Sequence, residues 1–391
     1  MKKKWIAILV AAMVLLPVFG GASRAESDAR SLSSITSKTA ILLDADTGMV
    51  VFESSPDTRA PIASMTKIMT LLLVFDALEK EKIQLSDTIV VSKHAAGMGG
   101  SQALLDERGE YLVTDLVKSI IVASANDASV ALAECLFGSE EAFVDEMNRH
   151  AESMGLQNTH FTNCTGLPTT EHYSTARDVA AMSRELLNKS LFFQYSTIWL
   201  DEIKHKNDRV TMLTNTNKLV RTYEGCDGVK TGSTQEAGFC VSATAKRGDT
   251  RLVAVVTGAE NSDNRNKDAA LLLDYGFAHY QTKLLHRTGD VVQKGIVVHS
   301  SRSGIMNAVA AGNVAHFLRK ADEKTIEENV VLDSALQAPI EKGTQVGVIQ
   351  VLEEGAVVSE IPLLCDRDMV KAGFLDCLTH VLRVWVGLPV H

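Results

Sequence analysis

The sequence predicts an α+β fold: one antiparallel sheet flanked by helices, then a small all-β domain, then an amphipathic C-terminal helix. Three observations carry this. Strand-like runs lie near both ends of the first 285 residues with helical patterns between them, so the two ends can share one sheet with helices on its faces. After Thr288 the texture changes to short apolar runs, at 295–298, 345–352 and 357–364, split by Gly, Asp and Lys. Finally, Phe374, Leu378, Val381, Trp385 and Leu388 recur at helical spacing, with Leu375, Leu382 and Val386 widening the apolar side. The implied divisions are 1–25 (export signal), 30–285, 288–365 and 366–391.

Taken in order, residues 39–43 and 49–53 flank Asp44-Ala45-Asp46-Thr47-Gly48, a hairpin by composition. Pro61 suits the lead-in to a helix, and the apolar run 68–78 has helical character, so Ser64 falls in the first turn. A short strand is expected at 89–92. A helix starts at Thr114 with Thr114-Asp115 as its cap, and Ser124-Ala125-Asn126 breaks it from a second helix. Residues 140–154 are helical, ending at Gly155. Thr175 with Asp178 reads as a capping box for a helix through Asn188. Residues 239–245 and 252–258 read as successive strands, and 268–280 as a closing helix.

The chain has 391 residues, 46% hydrophobic and 22% charged, enough for one large domain and a smaller one. A net charge of −9 and a pI near 5.7 argue against nucleic-acid binding, which calls for a basic face. Lys2-Lys3-Lys4, an apolar core over 5–19 and Ser23-Arg24-Ala25 form an export signal cleaved after Ala25, with an uncleaved anchor as the alternative. Cys135, Cys164, Cys226, Cys240, Cys365 and Cys377 are scattered, with no Cys-x-x-Cys or zinc pattern. A turn centred near Gln235 would set Cys240 opposite Lys230, leaving Cys226 roughly 13 Å off register, so free thiols are expected. The histidines show no His-Glu-x-x-His, which disfavours a metal hydrolase.

The chemistry centres on Ser64-Met65-Thr66-Lys67. Residues three apart share a helix face, which brings the Lys67 amine to the Ser64 hydroxyl. A lysine can take the serine proton only if burial or a nearby cation lowers its pKa. Alone, this pair is common. It gains weight from Ser124-Ala125-Asn126 between two helices and from Lys230-Thr231-Gly232 ahead of a strand. The order Ser-x-x-Lys, Ser-x-Asn, Lys-Thr-Gly is that of serine acyl-transfer enzymes that react with penicillin.

With these motifs the chain resembles the low-molecular-mass penicillin-binding proteins, the D-alanyl-D-alanine carboxypeptidases of the bacterial cell wall. The resemblance extends through Gly100-Ser101-Gln102, Arg108-Gly109-Glu110, Phe161-Thr162-Asn163, Gly166-Leu167, Tyr173-Ser174-Thr175-Ala176-Arg177-Asp178 and Thr214-Asn215-Thr216-Asn217. It covers the chain from about residue 35 and is strongest up to Gly258. The middle motif has Ala125 where many members carry Gly. The resemblance implies a penicillin-binding/β-lactamase-like fold, with the site between the sheet edge and an all-helical subdomain. It also implies a β domain serving as spacer or platform, and neither metal nor cofactor. The implied partners are D-Ala-D-Ala stem peptides and β-lactams.

In that scheme Ser64 is the nucleophile and Lys67 its base, with Lys230 depressing the Lys67 pKa by like-charge repulsion. Ser124 relays a proton to the departing amine. Asn126 holds Lys67 and the substrate backbone, and can also cap the helix at Asp127. Lys230 and Thr231 receive the terminal carboxylate. Gly232 lets the substrate backbone lie against its strand, and the oxyanion hole uses the N–H groups of Ser64 and Ser233.

The expected reaction is removal of the terminal D-Ala from peptidoglycan stem peptides through an acyl-enzyme. A D,D-endopeptidase using the same triplet stays open. A class A β-lactamase would need a Glu-x-x-Leu-Asn loop; Glu185-Leu186-Leu187-Asn188 is one residue short and helical in pattern. A non-catalytic wall-binding protein is disfavoured by three intact motifs. The C-terminal helix, with Lys371, Asp376, Thr379, His380 and Arg383 gathered on its polar side, is expected to lie on the outer face of the cytoplasmic membrane. Packing on the β domain is its alternative.

Overall fold

A computed structural model describes residues 32–322 and 324–386. The export signal read over residues 1–25 lies outside them, as does the tail beyond Val386.

The chain opens with the expected hairpin, β1 (Thr39–Asp44) and β2 (Val50–Ser54). Asp44 closes its turn by accepting the Thr47 N–H and Oγ1–H, each at 2.8 Å. A 3₁₀ turn at Ala63–Thr66 then leads into α1 (Lys67–Glu79), so Ser64 sits in a tight turn before the helix proper. A short pair, β3 (Thr88–Val90) and β4 (Glu110–Leu112), precedes α2 (Val113–Ala123). Thr114 does not cap this helix. The N-cap is Leu112, and the Thr114 hydroxyl bonds the Tyr195 hydroxyl at 2.8 Å instead. Ser124, left-handed at φ 62, breaks α2 from α3 (Asn126–Phe137).

Next come α4 (Glu140–Ser153), N-capped by Ser139, and α5 (Ala176–Leu187), N-capped by Thr175. Only half of the Thr175 capping box forms: Thr175 Oγ1 accepts the Asp178 N–H, while the Asp178 carboxylate turns to Asn158 N and Thr159 Oγ1. Glu185 lies in the last turn of α5, in a helix and not a loop. A hairpin, β5 (Leu200–Lys204) and β6 (Val210–Thr214), leads to β7 (Cys226–Thr234), β8 (Gly238–Arg247) and β9 (Thr250–Ala259). The closing helix α6 (Ser262–His279) starts six residues earlier than expected. Asn261 sets its start by accepting the N–H groups of Asp263 and Asn264.

The main sheet runs β2-β1-β9-β8-β7, antiparallel throughout, so strands from both ends of residues 39–259 meet at its centre. Its period-two alternation feeds two cores. Ile41, Leu43, Val253 and Val255 face α1 and α5, while Leu42, Ala254 and Val256 face Leu272, Leu273 and Phe277 of α6. Each such aliphatic side chain contributes about 1.5–3 kcal/mol by leaving water. Helices α1 to α4 form the helical part, and β7 is the sheet edge beside it. Gly232 pairs with Cys240, so the β7–β8 turn centres on Glu236, one residue past the expected centre. Cys226 pairs with Ala245, and all six cysteines are free.

Beyond α6, β10 (Tyr280–His286) pairs with β13 (Val314–Arg319). A five-stranded sheet combines β11 (Val291–Val297), β12 (Ile305–Ala310), β14 (Ile326–Leu332), β15 (Gln345–Glu353) and β16 (Ala356–Cys365). Thr282 ties this all-β part to the main sheet through Asp44 Oδ1 (3.1 Å) and Thr250 Oγ1 (2.7 Å), at the end of β8 away from the β7–β8 turn. Helix α7 (Phe374–Trp385) follows. The expected division began at 366, but Met369 is 1% exposed in the β-domain core and bridges Ile340, so the helix begins after Gly373. Among the described residues no helix is long and apolar enough to cross a membrane.

Candidate active site

Each site residue is delivered by an element with a reason to stop or turn there. Ser64 is half-buried in the 3₁₀ turn, which brings its Oγ to 3.0 Å from Lys67 Nζ at the start of α1. Ser124 ends α2, and Asn126 opens α3. Lys230, Thr231, Gly232 and Ser233 lie along edge strand β7. Contacts join Ser64 to Lys67, Lys230 to Ser124, and Gly232 to the Ser64 turn, while Asn126 is bonded to the Gly99 carbonyl.

Lys67 and Lys230 are among the largest fully buried side chains described. Burial pushes the Lys67 amine down to about 7, opposed in part by the Asp127 carboxylate. Lys67 Nζ donates to Ser64 Oγ and to the Thr165 carbonyl at 2.6 Å. Lys230 is also pushed down, by burial first, then by repulsion from Lys67 and Arg265. Burial is the first cause for both amines, and the like-charge repulsion expected between Lys67 and Lys230 adds to it. Lys230 Nζ donates to Ser124 Oγ at 2.8 Å and to the Thr231 carbonyl at 3.0 Å.

Asn126 departs from expectation as well. Its Nδ2 donates to the Gly99 carbonyl at 2.7 Å, while its buried Oδ1 has no hydrogen-bond partner. Thr165, not Asn126, holds Lys67. Asn126 is the first residue of α3 and not its cap, which is Ala125. Asp127 orders the facing loop by accepting from Ala103 N and Leu105 N, both at 3.0 Å.

Gly232 is crowded by the enzyme itself. A Cβ there would lie 2.7 Å from Ile62 O, 3.0 Å from Ser64 N and 3.1 Å from the Ala63 Cβ. The Ser64 turn therefore packs directly on β7, so Gly232 makes room for the protein's own backbone.

Several contributors were not anticipated. Asn163 Oδ1 accepts from Thr165 N, Thr165 Oγ1 and Gly166 N, fixing the turn that offers the Thr165 carbonyl to Lys67. Thr216 donates its N–H to Val122 O and accepts from Thr231 Oγ1 at 2.8 Å, clamping β7 to α2. Both residues lie within the stretches Phe161-Thr162-Asn163 and Thr214-Asn215-Thr216-Asn217 that carry the resemblance. Arg265, 5% exposed in the first turns of α6, repels Lys230. It lies ahead of the helix start expected at Asp268, in the turns that the Asn261 cap adds.

A buried amine that titrates near neutrality, bonded to a serine hydroxyl in a helix-to-sheet cleft, defines a serine hydrolase. Residues 24–261 match the family described as D-alanyl-D-alanine carboxypeptidase, and the chain belongs to that family. Residues 280–371 match the penicillin-binding protein 5 C-terminal domain. The D-alanyl-D-alanine carboxypeptidase DacF of Bacillus subtilis (strain 168) is 37% identical over 388 residues, covering 98% of this chain and 99% of its own. DacC of Escherichia coli (strain K12) is 31% identical over 389 residues, covering 96% and 94%. The structure of penicillin binding protein 5 from Haemophilus influenzae superposes with a TM-score of 0.67 at 29% identity, covering 86% of this chain and 98% of that one. The protein is thus a low-molecular-mass penicillin-binding protein with D,D-carboxypeptidase function. Its family is extracytoplasmic and cell-wall related.

Proposed function

We propose that the protein removes the terminal D-Ala from peptidoglycan stem pentapeptides through an acyl-enzyme on Ser64. The observation that carries this is the buried Lys67 amine, pushed to about 7, at 3.0 Å from Ser64 Oγ. Neutral Lys67 takes the hydroxyl proton as Oγ bonds the penultimate D-Ala carbonyl carbon. The N–H groups of Ser64 and Ser233 stabilise the oxyanion, each such donor supplying about 3 kcal/mol. The C–N bond breaks, and the leaving amine takes from Lys67 the proton that came from Ser64, relayed by Ser124, whose Oγ is bonded to Lys230; Lys67 is neutral again. Water then attacks the ester, gives its proton to Lys67, and Ser64 leaves with a proton restored.

Buried cations Lys230 and Arg265 with the Thr231 hydroxyl make the terminal carboxylate the natural occupant of this end of the cleft. The unpartnered Asn126 Oδ1 is suited to accept an amide N–H of the substrate. A β-lactam presents the same carbonyl and carboxylate, so Ser64 opens its ring and stays acylated. Labelling with a fluorescent penicillin, with D-alanine release from a pentapeptide, tests the scheme. Ser64→Ala is expected to lose both while keeping its melting temperature; persistent labelling places the nucleophile elsewhere. Release from cross-linked dimers but not pentapeptides would make the protein a D,D-endopeptidase.

The enzyme is exported and lies on the outer face of the cytoplasmic membrane, held by α7. Phe374 (81% exposed), Leu375 (72%) and Trp385 (88%) support this, since the helix presents them to solvent instead of packing them on the β domain. Vesicle sedimentation of the mature chain with and without residues 374–391 tests the anchor; equal sedimentation of both forms removes it.

A further inference from the structure

Packed against the Ser64 turn through Thr66 stands an imidazole that the scheme above does not use. His172 is 4% exposed. Its Nε2 lies 2.7 Å from Thr66 Oγ1, and its Nδ1 accepts the Thr162 N–H at 3.1 Å. Thr66 Oγ1 in turn donates to the Ala63 carbonyl at 2.9 Å. Because that hydroxyl proton is committed to Ala63, Thr66 Oγ1 must accept from His172, so the proton sits on Nε2. Because Nδ1 accepts from a backbone N–H, the ring is neutral. Burial, with repulsion from His160 and Lys67, keeps it so, holding its pKa down at about 4.

The ring is anchored without help from Thr66. Phe161 meets it edge-on at 5.7 Å, and the next two residues are bridged on opposite sides, Tyr173 to His160 and Ser174 to Ala60. Across the contact stands a turn that needs support. Ala63 is left-handed at φ 47, a conformation that costs a non-glycine residue about 1 kcal/mol or more. Gly166 closes the same cradle: a Cβ there would lie 2.8 Å from Thr66 Oγ1 and would overlap the Ala63 carbonyl.

We infer that His172 is a positioning residue for acylation: through Thr66 and the Ala63 carbonyl it holds the strained turn that aims Ser64 Oγ at Lys67 and its N–H at the oxyanion. It touches no reacting atom. The inference rests on Ser64 being the nucleophile.

The test is a double-mutant cycle on penicillin acylation, measured by stopped flow so that the binding constant and the saturating acylation rate separate. His172→Ala is expected to lower the saturating rate about tenfold, the worth of one well-placed buried hydrogen bond, with the binding constant within about twofold. His172→Gln, which can return an N–H near the Nε2 position, is expected to recover most of the rate. Thr66→Val, nearly isosteric, is expected to lose as much as His172→Ala, and the double variant no more than either single. A His172→Ala variant that folds and acylates at the wild-type rate overturns the inference, as do losses that multiply or that fall on binding alone. Should His172→Ala fail to fold, a wild-type rate in Thr66→Val overturns it instead. Absence of penicillin labelling in the wild-type chain would sink the Ser64 reading, a separate and recognisable outcome.

Discussion

Gly232→Ala probes how closely the nucleophile turn is seated on the sheet edge. The added Cβ would stand 2.7 Å from Ile62 O and 3.0 Å from Ser64 N, against about 3.4 Å for ordinary contact. Both neighbours are backbone, so no side chain can swing away; the Ala63–Thr66 turn or strand β7 must move by about half an ångström. Overpacking of this kind costs about 1–3 kcal/mol, which in a domain of this size lowers the melting temperature by about 2–10 °C. The catalytic cost is larger. Half an ångström takes the Ser64 N–H off the oxyanion, and losing one such donor lowers the rate about 100- to 1,000-fold. Acylation by fluorescent penicillin, followed by stopped flow beside a thermal melt, measures both. Gly312→Ala, where a Cβ meets nothing within 4 Å, serves as the control and is expected to leave the rate unchanged. A folded Gly232→Ala enzyme that acylates within threefold of wild type would refute the argument that this glycine exists to seat the turn.

Three other outcomes follow from the same geometry. The acylation rate is expected to rise about tenfold per pH unit up to about pH 7 and then level, because the active Lys67 is the neutral form and burial brings its pKa to about 7; a rate still climbing at pH 10 would mean an ordinary lysine. Lys230→Ala is expected to weaken substrates with a free terminal carboxylate at least tenfold more than amide-capped analogues, read as kcat/KM on both; equal losses remove its role in reading the carboxylate. Removing residues 374–391 is expected to leave an active enzyme with an unchanged melting temperature. A cut before Asp368 also deletes buried Met369 and the Asp368 bond to Lys342 N, and is expected to cost about 2–5 kcal/mol in the β domain; equal melts for the two truncations would show that 368–373 is not part of its core.

Sequence alone determined the features that local physics dictates. The hairpin around Asp44, the Ser124 break, the Thr175 cap and the 140–154 helix were legible because turn chemistry, capping residues and period-3.6 apolarity act within a few residues. The Ser64–Lys67 contact was legible because residues three apart at a helix start share a face. What the sequence misjudged were short-range assignments overridden by distant partners. The Thr114 hydroxyl is claimed by Tyr195, 81 residues away, and the Asp178 carboxylate by Thr159. Met369 continues a helical pattern in sequence but is drawn into the β-domain core beside Ile340. Only the tertiary structure decided what surrounds each charge. Burial brings the Lys67 amine down to about 7; the Thr165 carbonyl and not Asn126 holds it; and Arg265 and His172 come from helix and loop segments with no motif of their own. The physical reason is that a pKa or a strained turn is set by everything packed within a few ångströms, and that neighbourhood is assembled from residues far apart in sequence, 98 positions for Lys67 and Thr165 and 106 for Thr66 and His172.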